Sequence, residues 1–356
     1  MEPIPLHHVW TYTDVDRCFW NEHLEDWLPK KIFDAHTHIS HPKHRLESIT
    51  DEMRKQYWVN EVNEPIDADT ASHCIKTVFP GRDVAVLALG WPGLDFDIDA
   101  SNEYVRTQCL KRHWPCLAVS KPQLTAAQLA QQLDKPGVIG VKPYYSLISY
   151  NPVSRDQHIE ASIFDFLPHH QLELLNERGS WVTLHVPKAD RLGHPANIAE
   201  IKEIRRKYPN IILIIAHLGR CYTLPHAQEA LVHFADDDGL YFDNSAVLNP
   251  QVHRFALELL GPRRILYGTD NPIFYMRGRR VWRDRTYINH TDYPFYFNKN
   301  REPAEVEASY TLYMYEALKA IRFAATELNF GRAEIEAIFH DNAAALIKRA
   351  TASSKS

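Results

Sequence analysis

One arrangement repeats from Lys31 onward and restricts the fold more than any other feature of the chain. A short apolar or β-branched run ends in polar residues and is followed by a stretch with helical spacing of its apolar positions. The runs lie at 32–35, 84–89, 117–120, 138–142, 182–185, 211–216, 240–244 and 265–268. Helices are predicted over 102–113, 126–133, 163–178, 197–207, 226–235 and 251–260. Strands alternating with helices build a parallel sheet, because each parallel connection must cross over the sheet. Eight such units fit one closed α/β architecture, the (β/α)8 TIM barrel. The 234 residues that separate His36 from Asp270 approach the roughly 250 of such a barrel. The open doubly wound sheet is the competing fold, and its cue is missing. No G-x-G-x-x-G follows a strand and no G-x-x-x-x-G-K-[ST] occurs in a chain with only 13 glycines.

Four segments exceed the minimal barrel. Residues 1–30, with Trp10, Tyr12, Phe19, Trp20 and Trp27, read as an N-terminal extension that packs on the barrel or on a partner subunit. The barrel domain is expected over 31–350. Its first βα loop, 40–68, is too long for an ordinary connection and is a candidate lid. An insertion dense in Arg, Tyr and Phe follows the eighth run at 272–303, and 304–350 reads as two or three C-terminal helices, with 351–356 as a frayed end.

Composition narrows the function classes. Lys and Arg number 40 against 45 Asp and Glu, a net charge of −5, so no global basic field exists to draw nucleic acid or an anionic membrane. The five cysteines are scattered without C-x-x-C spacing, which suits a reducing, cytoplasmic setting better than a disulfide framework or a thiolate zinc site. Neither a secretion signal nor an apolar run of about 18 residues is present in the sequence read here. Histidine is the unusual residue, 20 in all.

The first run ends in Asp34-Ala35-His36-Thr37-His38. Residues i and i+2 of a strand share a face, so two imidazoles can converge on one cation. Three more runs end in chemically apt residues: His185, His217 in Ala216-His217-Leu218-Gly219-Arg220, and Asp270 in Gly268-Thr269-Asp270. In a parallel barrel all strand ends lie on the one face that carries active sites. Any single strand-end histidine could be structural. Five such groups on one rim point to a metal centre. His41 and His44 are left as loop residues, and His226 and His233 as solvent-facing or capping.

These motifs resemble the amidohydrolase superfamily, in the branch of aminocarboxymuconate-semialdehyde decarboxylase-like metal-dependent hydrolases. The matching stretches are DAHTH at 34–38, TLHVP at 183–187, IIAHLGR at 214–220, YGTDNP at 267–272 and the late Ile338-Phe339-His340-Asp341-Asn342-Ala343. The resemblance implies that His36, His38, His185 and Asp270 bind one divalent metal, with His217 beside it as electrophile or proton shuttle and Asp270 also catalytic. The N/O donor set suits Zn²⁺, with Mn²⁺ or Fe²⁺ tolerable.

Lys142 ends the fourth run, where binuclear relatives carry a carboxylated lysine between two metals. The alternatives are one metal, with Lys142 paired to a carboxylate or to substrate, and a second metal held through it. Arg220, Tyr144, Asn244 and Arg277 are candidate substrate contacts, with Tyr145 and Ser245 also after strand ends. The Arg277, Arg279, Arg280, Arg283, Arg285 series reads either as an anion-binding loop or as a solvated or subunit-contact surface. The expected activity is hydrolysis of an amide, lactone or ester carbonyl in a small anionic molecule by metal-activated water. The alternative is non-oxidative decarboxylation of an unsaturated or aromatic acid. A barrel that binds metal without catalysis is the remaining reading. By resemblance the chain is expected to form a homo-oligomer, a dimer.

Overall fold

The computed structural model describes residues 1–353 apart from 8, 57, 63 and 150–157. Two antiparallel strands, β1 (Ile4–His7) and β2 (Trp10–Tyr12), open the chain. Eight parallel strands then follow in sequence order around one sheet: β3 (Lys31–His38), β4 (Asp83–Leu89), β5 (Cys116–Ser120), β6 (Val138–Pro143), β7 (Trp181–Leu184), β8 (Ile212–Ile215), β9 (Tyr241–Asp243) and β10 (Ile265–Leu266). Every run read from the sequence is a strand of this sheet. The seam between β10 and β3 is closed by single hydrogen bonds, from Ala35 N to Tyr267 O, Asp270 N to His36 O and His38 N to Asn271 O, each 2.8 Å. The sheet is thereby a nearly closed (β/α)8 TIM barrel.

Inside the barrel, Phe33, Leu87, Leu117, Trp181, Ile212 and Leu266 form an apolar plug. The C-terminal helix Asn342–Ser353 covers one mouth by adding Ala343, Leu346 and Ala350 to that plug. Asn342 fixes this helix in place. Its side-chain amide donates to Pro262 O (2.8 Å) and Ile265 O (2.9 Å), satisfying carbonyls at the start of β10 that a buried chain end would otherwise leave unpaired. Residues 354–356 of the expected frayed end lie outside the described residues, whereas Thr351–Ser353 are helical.

A second, larger apolar layer lies between the sheet and its helices, and the N-terminal segment belongs to it. Trp10, Tyr12 and Trp20 are buried against Phe79, Tyr315 and Phe295 of the same chain. The expected helix over 163–178 is two helices, Ile163–Phe166 and His169–Glu177. Pro168 divides them, because a residue before proline is driven out of helical geometry and Leu167 sits at φ −135°, ψ 75°. The insertion after β10 contains a hairpin, β11 (Gly278–Arg283) paired with β12 (Thr286–Thr291), and then the helix Tyr313–Glu327.

Candidate active site

The C-terminal strand ends surround a cavity of about 430 Å³ lined by His36, His38, Lys142, His185, His217 and Asp270. Asp34, which begins the first motif, is buried but lies outside the cavity lining and serves the framework. Its carboxylate accepts from His36 N, Thr269 N, Thr37 Oγ1 and Thr269 Oγ1, clamping β3 to the end of β10. Burial, only partly offset by these bonds, raises its pKa to about 6.

Hydrogen bonds behind the histidines fix which nitrogen each presents. His36 Nδ1 donates to Asp243 Oδ2 (3.0 Å) and His38 Nδ1 to Gly90 O (3.1 Å), so each Nε2 carries a lone pair. Those Nε2 atoms lie 3.6 and 3.2 Å from Asp270 Oδ1. Burial alone would raise the Asp270 carboxyl, but the imidazoles of His217, His38 and His36 outweigh it and hold the group well below the usual carboxylate range. His38 Nε2 and Asp270 Oδ1 thus lie at hydrogen-bond distance, bridged by a proton while the imidazole is charged and able to share a cation once it is neutral. The ligand atoms of His36, His38 and Asp270 all lie within 4.8 Å of one another. This donor set fits a divalent ion.

A second trio equally close, His36, His217 and Asp243, does not. Asp243 Oδ1 already accepts from His217 N (2.9 Å), Ser245 N (3.2 Å) and Ser245 Oγ, and Oδ2 from His36 Nδ1 (3.0 Å), so both oxygens are engaged in holding the framework. The sequence reading passed over Asp243, although it ends the seventh run one position before Asn244 and a carboxylate at a strand end was the signal that singled out Asp270. Its role is orientation. Burial would raise its pKa, but the His36 and His217 imidazoles keep it ionised.

His217 follows β8 in a left-handed turn, with φ of 56°, 48°, 69° and 64° at His217, Leu218, Gly219 and Arg220. Gly219 is required there twice over, since a Cβ would also stand 2.4 Å from Leu192 Cδ2. The turn aims both His217 and Arg220 at the cavity. Ser245 Oγ donates to Asp243 and so accepts from His217 Nδ1 (2.8 Å), leaving the His217 Nε2 lone pair toward the cavity. Burial pushes its pKa down, opposed by Asp270. In its neutral form His217 therefore presents an acceptor nitrogen to the cavity. His185 shares the wall, its ring centroid 5.3 Å from His217 and 4.7 Å from Tyr144, but belongs to neither close trio.

Lys142 is fully buried, and its Nζ donates to His36 Nε2 at 3.2 Å. Burial lowers its pKa to about 8, opposed by Asp243 and Asp270. His36 is pushed down to about 4 by burial and then by the Lys142 charge.

The substrate candidates separate. Tyr144 and Arg220 line the cavity. Asn244 does not, because its Oδ1 turns away to accept from Gly268 N (3.3 Å) behind the strand ends. Arg277 does not either. Its guanidinium is buried in a two-pronged bond to Asp16 (2.8 and 2.7 Å) and donates to Thr11 O and Tyr310 O, tying the insertion to the N-terminal segment. Of the arginine series, Arg279 pairs with Glu302 and Arg285 with Glu229 at the surface, Arg283 is exposed, and only Arg280 reaches the cavity. Tyr287, which the sequence interleaves with the arginine series, also lines it, as do Arg191 and Tyr222, which no sequence signal marked. His226, expected at the surface or in a cap, is half-buried and accepts from Arg191 (2.9 Å). The first βα loop supplies Glu47, Met53 and Trp58 to the cavity wall.

Comparison with known proteins agrees with this fold. Solved structures with the same fold include a probable 2-pyrone-4,6-dicarboxylic acid hydrolase from Acinetobacter baumannii with citric acid bound, at 14% identity and a TM-score of 0.54, covering 89% of this chain and 99% of that one. An amidohydrolase from Burkholderia multivorans with bound zinc matches at 12% identity and a TM-score of 0.56, over 89% and 99% of the two chains. A dihydroxybenzoic acid decarboxylase from Polaromonas sp. JS666, with bound manganese and the inhibitor 2-nitroresorcinol, matches at 14% and 0.52, over 90% and 97%. No curated relative matches the sequence. The family model described as amidohydrolase matches residues 94–349, which is most of the chain. With the strand-end histidines and Asp270 on one rim of the barrel, this chain belongs to the amidohydrolase family, whose members are metal-dependent hydrolases or decarboxylases.

Proposed function

We propose that the chain is a metal-dependent hydrolase acting on the carbonyl of an amide, lactone or ester in a small anionic molecule. The observation that carries this reading is the meeting of His36 Nε2, His38 Nε2 and Asp270 Oδ1 at the strand ends. These three, with His185 from the adjoining wall, would hold one divalent cation, Zn²⁺ by its preference for imidazole and carboxylate, with Mn²⁺ or Fe²⁺ compatible. When bound, such an ion polarises a carbonyl oxygen and lowers the pKa of water towards about 7.

The protein's own groups supply the rest. Asp270 accepts the proton of the attacking water at a carboxylate oxygen and returns it to the leaving group. His217 offers its Nε2 lone pair as a second station for that proton, held in this tautomer by Ser245. Lys142 Nζ bonds His36 Nε2 at 3.2 Å, a contact that a cation on that nitrogen would replace, which leaves the lysine beside the site for substrate. The cavity of about 430 Å³ suits a small molecule.

Elemental analysis by plasma mass spectrometry of the full chain purified without chelators is the test, followed by lactone, amide and ester screens run beside a CO₂ assay. The expected result is about one divalent ion per chain, lost in His38→Ala and kept in Lys142→Met, with hydrolysis and no CO₂. CO₂ release without hydrolysis would assign decarboxylation instead. Two ions, one of them lost in Lys142→Met, would overturn the mononuclear centre, and no ion after reconstitution would overturn the centre altogether.

A further inference from the structure

Three arginines face the cavity from separate elements: Arg191 from the turn after β7, Arg220 from the left-handed turn after β8, and Arg280 from β11. Elsewhere Arg277 pairs with Asp16, Arg205 with Asp237 and Arg106 with Glu103, while buried Arg264 spends its guanidinium on three backbone carbonyls, of Phe234, Ala235 and Leu240, away from the cavity. Among the described residues, none of the three cavity arginines has a carboxylate oxygen within 4.0 Å, although Arg220 is 8% and Arg280 6% exposed.

Neutral groups hold each of them in place instead. Arg220 Nη1 donates to Lys188 O (2.7 Å) and Val186 O (3.3 Å). Arg280 donates to Asn289 Oδ1 (2.9 Å) and Ala246 O (3.2 Å), with its guanidinium 4.2 Å over the Tyr287 ring and 5.6 Å from Tyr222. Arg191 donates to His226 Nδ1 (2.9 Å) and lies 5.3 Å over Tyr222, so the Tyr222 ring is shared between two guanidinium groups. Of the other carboxylates that line the cavity, Asp95 lies 3.7 Å from Arg45 Nε, Glu47 stands near Asp95, and Asp270 sits among the strand-end histidines.

Like charges gathered out of water repel and lose hydration, so rigidly holding three of them unpaired is costly unless a ligand neutralises them. One carboxylate is satisfied by one or two guanidinium forks. We propose that Arg191, Arg220 and Arg280, braced by Tyr222, form a subsite for a dianionic portion of the substrate, either paired carboxylates or a single phosphoryl group, away from the reacting carbonyl. This rests on the hydrolase reading above, to which it adds a charge requirement on the substrate.

Calorimetric titration of the metal-loaded full chain with benzoate, isophthalate and phenyl phosphate tests the subsite. The wild type is expected to bind at least one dianion tenfold or more tighter than benzoate. Arg191→Gln and Arg280→Gln should each cut that preference at least fivefold, Arg280→Lys should keep part of it, and Arg279→Gln should leave it unchanged. Tighter isophthalate assigns paired carboxylates, and tighter phenyl phosphate assigns a phosphoryl group. Equal affinity for the three probes, or the same preference in both glutamine variants, would overturn the proposal. The same titration in His38→Ala separates it from the metal reading. A preference that survives there while hydrolysis is absent from every screen leaves the subsite standing without the reaction. One lost there but insensitive to the arginine variants places the dianion on the metal and overturns the subsite.

Discussion

Replacing Asp16 by alanine isolates the clamp that removes Arg277 from the cavity. Asp16 lies on the helix Asp14–His23 with no exposed surface, and its carboxylate accepts from Arg277 Nη1 and Nη2 (2.8 and 2.7 Å), Thr311 Oγ1 (2.8 Å), Thr13 N (2.7 Å) and Thr13 Oγ1 (3.0 Å). The variant strands a buried guanidinium that keeps only the carbonyls of Thr11 and Tyr310 and a longer approach to Asp292 at 3.7 Å. Removing one partner of a buried pair costs about 3–5 kcal/mol. For 356 residues the unfolding entropy near 60 °C is about 0.75 kcal/mol per kelvin, so thermal melting followed by circular dichroism should shift down by roughly 4–7 °C. Arg277→Met should destabilise similarly, and the double variant Asp16→Ala/Arg277→Met should recover at least half of the loss, because no unpaired charge remains. Metal content should equal that of wild type in all three. A shift below about 1 °C, or strictly additive losses in the double variant, would refute the argument.

The remaining predictions concern the site and its supports. Asp243→Asn, which weakens the hold on His36 Nδ1, should lower metal affinity about 10–100-fold in competition with a chromophoric chelator, and unchanged affinity would remove Asp243 from its orienting role. Gly219→Ala forces a left-handed alanine against Leu192 and should cost about 2–4 kcal/mol in denaturant unfolding; a neutral effect would contradict the turn geometry. Burial lowers the His253 pKa to about 4, so the unfolded chain takes up a proton below about 6.5 that the folded one refuses. Stability is therefore complete above about pH 6.5 and falls towards pH 4, by about 3 kcal/mol at most from this group. His253→Gln should flatten that slope while still donating to Val247 O, and an unaltered slope would exclude the residue as its source. Glu61 joins the first βα loop to the insertion by accepting from Tyr296 N and Phe297 N. Glu61→Gln weakens that tie, and limited proteolysis should cut within 40–68 sooner than in wild type.

The eight strands were legible because a parallel sheet covered on both faces demands consecutive β-branched runs, a signal local to each strand. His36, His38, His185, His217 and Asp270 were legible for a related reason: barrel closure brings every strand's C-terminal end to one rim, so position in the run is enough to place the residue on that rim. The same logic held for Asp243, one residue from a position the reading did consider. Arg277 and Arg280 show where it stops. They stand three residues apart in one arginine-rich stretch, yet one is buried against Asp16 and the other reaches the cavity.

By itself, then, the sequence determined the barrel and the rim that bears the chemistry, because each follows from short-range periodicity and from side-chain type, and its motifs carried the resemblance to the family. Only the tertiary structure decided which nitrogen each histidine presents, which arginines keep their charge for a ligand and which helix seals the barrel. Those depend on partners far away in the chain, such as Asp243 for His36, Asp16 for Arg277 and Tyr222 for Arg191 and Arg280, and no local pattern encodes a distance that only folding creates.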